Sequence, residues 1–143
     1  MILLEAMAHR EGFYDTKNHN NRPQRNNNPC NLRYNSESIS FGSNAHDGGY
    51  AIFPSVAIGW KAAQRWLSVP AKFTDTDPGD GRPKGPHGYL VGGYLGATLE
   101  QIIFRFAPPG DSNNTEDYIN YVVAKTGFDR KQIITLDLLV IPS

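Results

Sequence analysis

Ile2-Leu3-Leu4-Glu5-Ala6-Met7-Ala8-His9-Arg10-Glu11-Gly12 sets the reading of the whole chain. Leu4, Met7, Ala8 and Glu11 follow the i, i+3, i+4, i+7 spacing, so residues 2–11 read as a short helix with one apolar stripe. Glu11 falls at the C-terminal end of that stripe, and Glu5 on the other face. Gly12 is a natural helix stop. A carboxyl at the edge of a buried stripe is partly desolvated, which disfavours its ionised form. A protonated acid of that kind is what a glycosidic bond needs at its leaving oxygen near neutral pH. The plain alternative is a surface glutamate in the last helical turn, unfavourably placed against the helix dipole.

Working outward, residues 13–30 show no period and contain Pro23 and Pro29, which predicts a loop. Asparagine is crowded here, at Asn18, Asn20, Asn21, Asn26, Asn27, Asn28, Asn31 and Asn35. Its side chain suits polyol and N-acetyl recognition as a donor and acceptor, and suits turns through bonds to the backbone. Leu32-Arg33-Tyr34, Ile39-Ser40-Phe41 and Tyr50-Ala51-Ile52-Phe53 look like pieces of a small antiparallel sheet, with a turn around Asp47-Gly48-Gly49. Pro54-Ser55 starts a helix running to about Leu67, with Val56, Gly59, Trp60, Ala63, Trp66 and Leu67 on one side.

Residues 68–96 hold Pro70, Pro78, Pro83, Pro86 and seven glycines, a density that predicts a long loop, possible as a rim of the site. Thr98 with Gln101 makes a capping box for a helix that turns Leu99, Ile102, Ile103 and Phe106 inward and ends at Ala107-Pro108-Pro109. Asn114 or Thr115 caps the next helix, with Tyr118, Ile119, Val122 and Val123 inward and Gly127 as its stop. Asp129 with Gln132 opens a last helix through Ile133, Ile134 and Leu138. The order is helix, loop, small sheet, four helices. That is an α+β chain with a mostly helical body, read as one domain over 1–143, with a cleft expected between a small sheet lobe and a helical lobe.

Bulk properties narrow the function. The 143 residues carry fourteen basic and fourteen acidic side chains, which leaves no basic footprint for nucleic acid. No apolar run approaches the roughly 20 residues of a membrane span. The start Met1-Ile2-Leu3-Leu4-Glu5 lacks the basic flank of a signal peptide, so export by another route, or a removed leader, is expected. Cys30 is the one cysteine, which rules out an internal disulfide. A thiol hydrolase would need Cys30 activated by His9, His19, His46 or His87, yet Pro29-Cys30-Asn31 offers no helix N-terminus to lower the thiol pKa. The four histidines show no metal-ligand spacing, so neither a metal nor a cofactor is expected.

Arg10-Glu11-Gly12-Phe13-Tyr14 resembles the Glu-Gly element of phage lysozymes. Arg25-Asn26-Asn27-Asn28-Pro29-Cys30-Asn31-Leu32-Arg33-Tyr34 is similar to the arginine- and asparagine-rich segment of phage and bacterial lysozyme-like proteins, as are Gly49-Tyr50-Ala51-Ile52-Phe53-Pro54-Ser55 and Gly59-Trp60. Phe106-Ala107-Pro108-Pro109 with Asn113-Asn114-Thr115-Glu116-Asp117-Tyr118-Ile119 fits the same group, and resembles the place where lytic transglycosylases carry a tyrosine beside the acid. The resemblance covers nearly all of the chain except 68–96. It implies a lysozyme-like fold and a monomeric muramidase, endolysin-like, acting on peptidoglycan glycan strands at the bacterial cell wall, whether secreted, periplasmic or phage-borne. Glu11 would be the acid, and Tyr118 a neighbour positioning it or the sugar. Arg25, Asn27, Asn28 and Asn31 would contact substrate, the asparagines shaping the cleft floor.

Two departures matter. Cys30 stands where glycine is usual, and a positive φ there would strain a cysteine by roughly 1 kcal/mol. Phage lysozymes carry an aspartate nine residues after the acid, where this chain has Asn20; Asp15 and Asp47 are the candidates for a second carboxylate. Without one, a lytic transglycosylase forming an anhydro product is the alternative, with Glu11 serving as acid and then base. A glycan-binding or virion structural module that lost turnover is the non-enzyme alternative, in which Trp60, Trp66 and the tyrosines could stack on sugars.

Overall fold

The computed structural model describes residues 1–111 and 113–143, with the side chain of Asp111 excepted. Its fold is α+β: helices dominate, and the strands form small antiparallel sheets. Backbone contacts group the chain into two compact units, one of Ile2–Trp66 with Leu139–Ser143, the other of Leu67–Leu138 with Met1.

In the first unit, α1 (Leu3–Glu11) is more deeply buried than a single stripe requires: Leu3, Leu4, Ala6, Met7 and Ala8 are all fully enclosed. Each large side chain of this set contributes about 1.5–3 kcal/mol by leaving water. Gly12, at φ 95°, closes the helix, with its N–H on the His9 carbonyl and the Phe13 N–H on that of Ala8. These two bonds make a Schellman closure. Where sequence predicts an unbroken loop over 13–30, a one-turn helix α2 (Arg22–Arg25) forms, because the Asn21 side chain accepts the Gln24 N–H at 3.2 Å.

The predicted strand at Ile39-Ser40-Phe41 is instead α3 (Ser36–Ser40) with its C-cap at Phe41. Asn35 and Ser38 cap each other's backbone reciprocally, and these local bonds outweigh the short β-like pattern. Leu32-Arg33-Tyr34 contributes one bridge, Arg33 to Tyr50, and no strand. The sheet of this unit is the hairpin β1 (Ala45–Asp47) and β2 (Tyr50–Ile52), closed by Gly48 and Gly49 at φ 58° and 89°. Two left-handed turn residues match the twist of a tight hairpin.

Helix α4 (Val56–Leu67) follows, with the Ser55 hydroxyl accepting the Ile58 N–H. Gly59, Trp60, Ala62, Ala63 and Leu67 are buried, whereas Val56 is exposed. Gly59 presses on the preceding turn so closely that a Cβ there would stand 2.0 Å from the Asn27 carbonyl oxygen.

The second unit overturns the predicted loop at 68–96. A three-stranded antiparallel sheet runs through it, β3 (Lys72–Thr74), β4 (Lys84–Gly85) and β5 (Gly88–Gly92), in the order β3-β5-β4. Pro78, Pro83 and Pro86 with Gly79, Gly81, Gly93 and Gly96 fall in the connections, and Gly85, Gly88 and Gly92 pair at strand ends, so their density marks turns between very short strands. Helix α5 (Leu99–Phe106) has the expected Thr98–Gln101 capping box, and buries Leu99, Ile102 and Ile103. Helix α6 (Thr115–Thr126) is capped by Asn114 and closed by left-handed Gly127, with Tyr118, Ile119 and Val122 buried.

The predicted helix from Asp129 to Leu138 does not form; only a 3-10 turn at Leu136–Leu138 is helical. A turn at Asp129–Gln132 and a bridge from Ile133 to Thr98 bring the segment beside the start of α5, where the carbonyls of Gln132 and Arg130 accept the N–H groups of Leu99 and Glu100. Those donors have no partner inside their own helix. Satisfying them outweighs the local helix signal.

Replacing Gly59 by alanine tests how tightly the first unit is built. The added methyl meets backbone, which cannot rotate away, so a loss of about 2–4 kcal/mol is expected in chemical denaturation. A change within ~0.5 kcal/mol would contradict that packing.

Candidate functional site

Glu11 is the last residue of α1 and half-buried. The chain just after it is fixed from one direction. Asn21 donates its side-chain amide to the Gly12 carbonyl at 2.6 Å, and the Gln24 amide reaches the carbonyls of Phe13 and Asp15 at 3.0 and 2.7 Å. Asn21 and Gln24 thereby cap α2 and hold the exit of α1 together. The sequence signal was present as Asn21-Arg22-Pro23-Gln24, a cap spacing inside an apparently featureless stretch.

Aromatic rings gather around this exit. Tyr14 stacks on His9 with centroids 4.1 Å apart, and Phe13 meets both Tyr14 and Trp60 edge-on. Trp60 is buried in this packing, as helical spacing implied. Tyr14 stays partly exposed; partial burial, followed by the nearby charge of Glu5, pushes its phenol pKa up.

The asparagine-rich segment is mostly committed to backbone. Asn28 is fully buried: its amide donates to the carbonyls of Leu32 and Ala51, both at 2.9 Å, and its oxygen accepts the Leu32 N–H at 2.9 Å. That removes Asn28 from any ligand-contacting floor. It replaces the missing strand ladder at Leu32. Asn27 donates to the Phe53 carbonyl at 3.0 Å and remains half-buried. Asn31 keeps a side-chain oxygen that is buried and, among the described residues, accepts no hydrogen bond.

Asn27 and Asn31, at φ 53° and 54°, are the non-glycine left-handed residues of the described chain. Cys30 therefore carries none of the strain expected for a residue in a glycine position. The left-handed backbone falls on asparagines, which tolerate it best after glycine.

Arg25 forks onto Asp47, with Nε and one terminal nitrogen each 2.7 Å from the same carboxylate oxygen. This hydrogen bonding holds the Asp47 carboxyl below the usual carboxylate range. Arg22 and Arg33 lie 4.4 and 5.1 Å from the centroid of the Tyr50 ring. Asp15 spends one carboxylate oxygen on the N–H groups of Lys17 and Asn18, forming a turn. Both candidates for a second carboxylate are thus already engaged locally.

Tyr118 belongs to the second unit. It is buried on α6, edge-on to Phe106 with centroids 6.4 Å apart, and so points inward as its helix face requires. Among the described residues no group of three His, Cys, Asp or Glu side chains could hold a metal, and no helix is long and apolar enough to cross a membrane.

The Cys30 thiol is completely enclosed, 3.8 Å from the Leu4 carbonyl. Burial, and then the charge of Glu11, push its pKa far up, which keeps it a neutral thiol. A nucleophile needs the thiolate. Iodoacetamide at pH 8 should therefore alkylate the folded protein at least ~100-fold more slowly than the unfolded chain. Equal rates would show that the thiol is accessible and ionisable. No protein-family model, curated protein or solved structure matches this chain, so a functional reading rests on the chemistry of these residues and on the motifs that resemble lysozyme-like proteins.

Proposed function

We propose that the protein cleaves peptidoglycan glycan strands at the bacterial cell wall, with Glu11 as the general acid at the β-1,4 bond between N-acetylmuramic acid and N-acetylglucosamine. The observation that carries this reading is the setting of Glu11 itself. It is a half-buried carboxyl at the end of a helix that encloses Leu3, Leu4, Ala6, Met7 and Ala8, and the backbone just after it is held by Asn21 and Gln24. Fixed position and partial desolvation are the two things a proton donor needs.

The motif resemblance adds the substrate class and implies a positioning role for Tyr118. Arg25, Asn27 and Asn31 remain candidates for substrate contact, Asn31 through its unused oxygen. The enzyme would need no metal or cofactor.

Within this reading, the lytic transglycosylase chemistry is favoured by the engagement of Asp15 in its own turn and of Asp47 by Arg25. In this chemistry Glu11 donates its proton to the leaving oxygen. It then takes the proton from the sugar's own 6-hydroxyl as that oxygen closes onto the anomeric carbon. The proton balance is complete with no water consumed.

The Glu11→Gln variant should keep the fold and lose at least ~100-fold of the rate at which soluble fragments leave purified peptidoglycan, as removal of a placed general acid does. Tyr118→Phe keeps the ring and deletes only the hydroxyl, and should slow turnover with little change in melting temperature. Wild-type turnover in Glu11→Gln would contradict the mechanism. A loss of stability with unchanged turnover in Tyr118→Phe would make that residue purely structural.

A further inference from the structure

A second site lies wholly within the unit of the three-stranded sheet and involves no residue around Glu11. A cavity of about 150 Å³ opens between the connection preceding β4 and the face of α5. Its apolar walls are Pro83, Leu90, Phe104 and Pro108, and its polar lining is Asp80, Arg82, Gln101 and Arg105.

An audit of those polar groups shows what the cavity can bind. Gln101 is buried and spent: its amide donates to the carbonyls of Pro83 and Gly88, and its oxygen accepts the Thr98 N–H. Asp80 is spent too, receiving Arg82 through Nε and a terminal nitrogen at 2.9 and 2.6 Å. That pairing drags the Asp80 carboxyl down to about 2, so the pair stays neutral overall near neutral pH. Arg82 uses its other terminal nitrogen on the Leu90 carbonyl at 2.8 Å. A guanidinium has five N–H donors, so after these bonds Arg82 still has donors to offer.

Arg105 rests over the Tyr94 ring, 5.3 Å from its centroid, and no carboxylate among the described residues pairs with it. Among the described residues, then, its positive charge is uncompensated. Every unspent donor in the cavity belongs to a guanidinium, and apolar wall lies alongside. Guanidinium forks match planar carboxylates in charge and geometry.

We propose that this cavity binds a small carboxylate carrying a short apolar substituent, of the kind found in an acylated amino acid or at the C-terminal end of a peptide. Arg105 supplies the main charge, Arg82 the remaining donors, and Phe104 and Leu90 the contact for the side group. The proposal stands or falls independently of any role for Glu11.

The test uses the isotopically labelled full chain and nuclear magnetic resonance. N-acetylalanine should give saturable backbone shifts at Leu90, Gln101 and Arg105, with a dissociation constant in the range ~1–50 mM expected of so small a ligand. N-acetylalanine amide, acetate and inorganic phosphate should each bind at least ~10-fold more weakly, since each lacks the charge, the side group or the planar fork. Arg105→Gln should weaken N-acetylalanine about 10-fold, and Arg105→Lys less. Arg105 is exposed, so these variants should keep the wild-type spectrum elsewhere. N-acetyl-alanyl-alanine separates the two sources: retained binding assigns a peptide end and lost binding a free acylated amino acid, and both uphold the site. Equal binding of the amide, acetate or phosphate, no saturation, shifts mapping elsewhere, or no effect of Arg105→Gln would overturn it.

Discussion

The buried amide of Asn28 is the interaction on which the first unit depends. Its three bonds join Leu32 to Ala51 where no strand ladder does so, and the Ala51 N–H adds a fourth link to the Leu32 carbonyl. Removing such an amide would leave buried backbone groups unpaired, at roughly 1–3 kcal/mol each. The left-handed residues Asn27 and Asn31 bend the chain so that Asn28 can point inward. Gly59 is then required, because α4 packs on the Asn27 carbonyl that this bend presents. The asparagine crowding is thus mainly architecture. Of the asparagines expected to contact substrate, it leaves over the side-chain oxygen of Asn31 and the partly open amide of Asn27.

The same economy governs the environment of Glu11. Cys30 packs against the carbonyl of Leu4 in α1, and its neutral thiol adds no charge near the acid. Asn21 and Gln24 hold residues 12–15 by three side-chain bonds to carbonyls, which fixes the exit of α1. Because these bonds run to backbone, the rings of His9, Phe13 and Tyr14 are left to pack on one another.

Several elements were legible in the sequence because their signals are local. The apolar spacing of α1, the Gly12 stop, the Thr98–Gln101 box, the Asn114 cap and the turn at Gly48-Gly49 each involve a few neighbouring residues. The misread segments failed for physical reasons of two kinds. In α2 and α3, asparagine caps create a single helical turn too short to show a period. In the pairing of β3 with β5 and in the segment after Asp129, the partners lie far along the chain, while β4 and β5 pair locally across Pro86-His87 in strands too short to show a pattern. The strands are two to five residues long and separated by proline and glycine, and Gln132 and Arg130 act as acceptors for the free N–H groups of α5. Nothing local announces such pairings. Among the candidate site residues, the place of Glu11 at the helix end was legible in its spacing and the inward turn of Tyr118 in its helix face. The locking roles of Asn21 and Gln24 were hidden inside what read as loop, and Asn28 was misassigned because a side chain that suits sugars suits buried carbonyls equally well.

The central claim is that a single placed carboxyl drives scission of glycan strands. Mass analysis of the soluble products from purified peptidoglycan incubated with the wild-type protein tests it most directly. Disaccharide-peptide fragments ending in 1,6-anhydro-muramic acid are expected, and fragments ending in reducing sugars would show that a second carboxylate directs water. A digest that releases no fragments, while the protein remains bound to the insoluble wall, would contradict catalysis and leave a glycan-binding module.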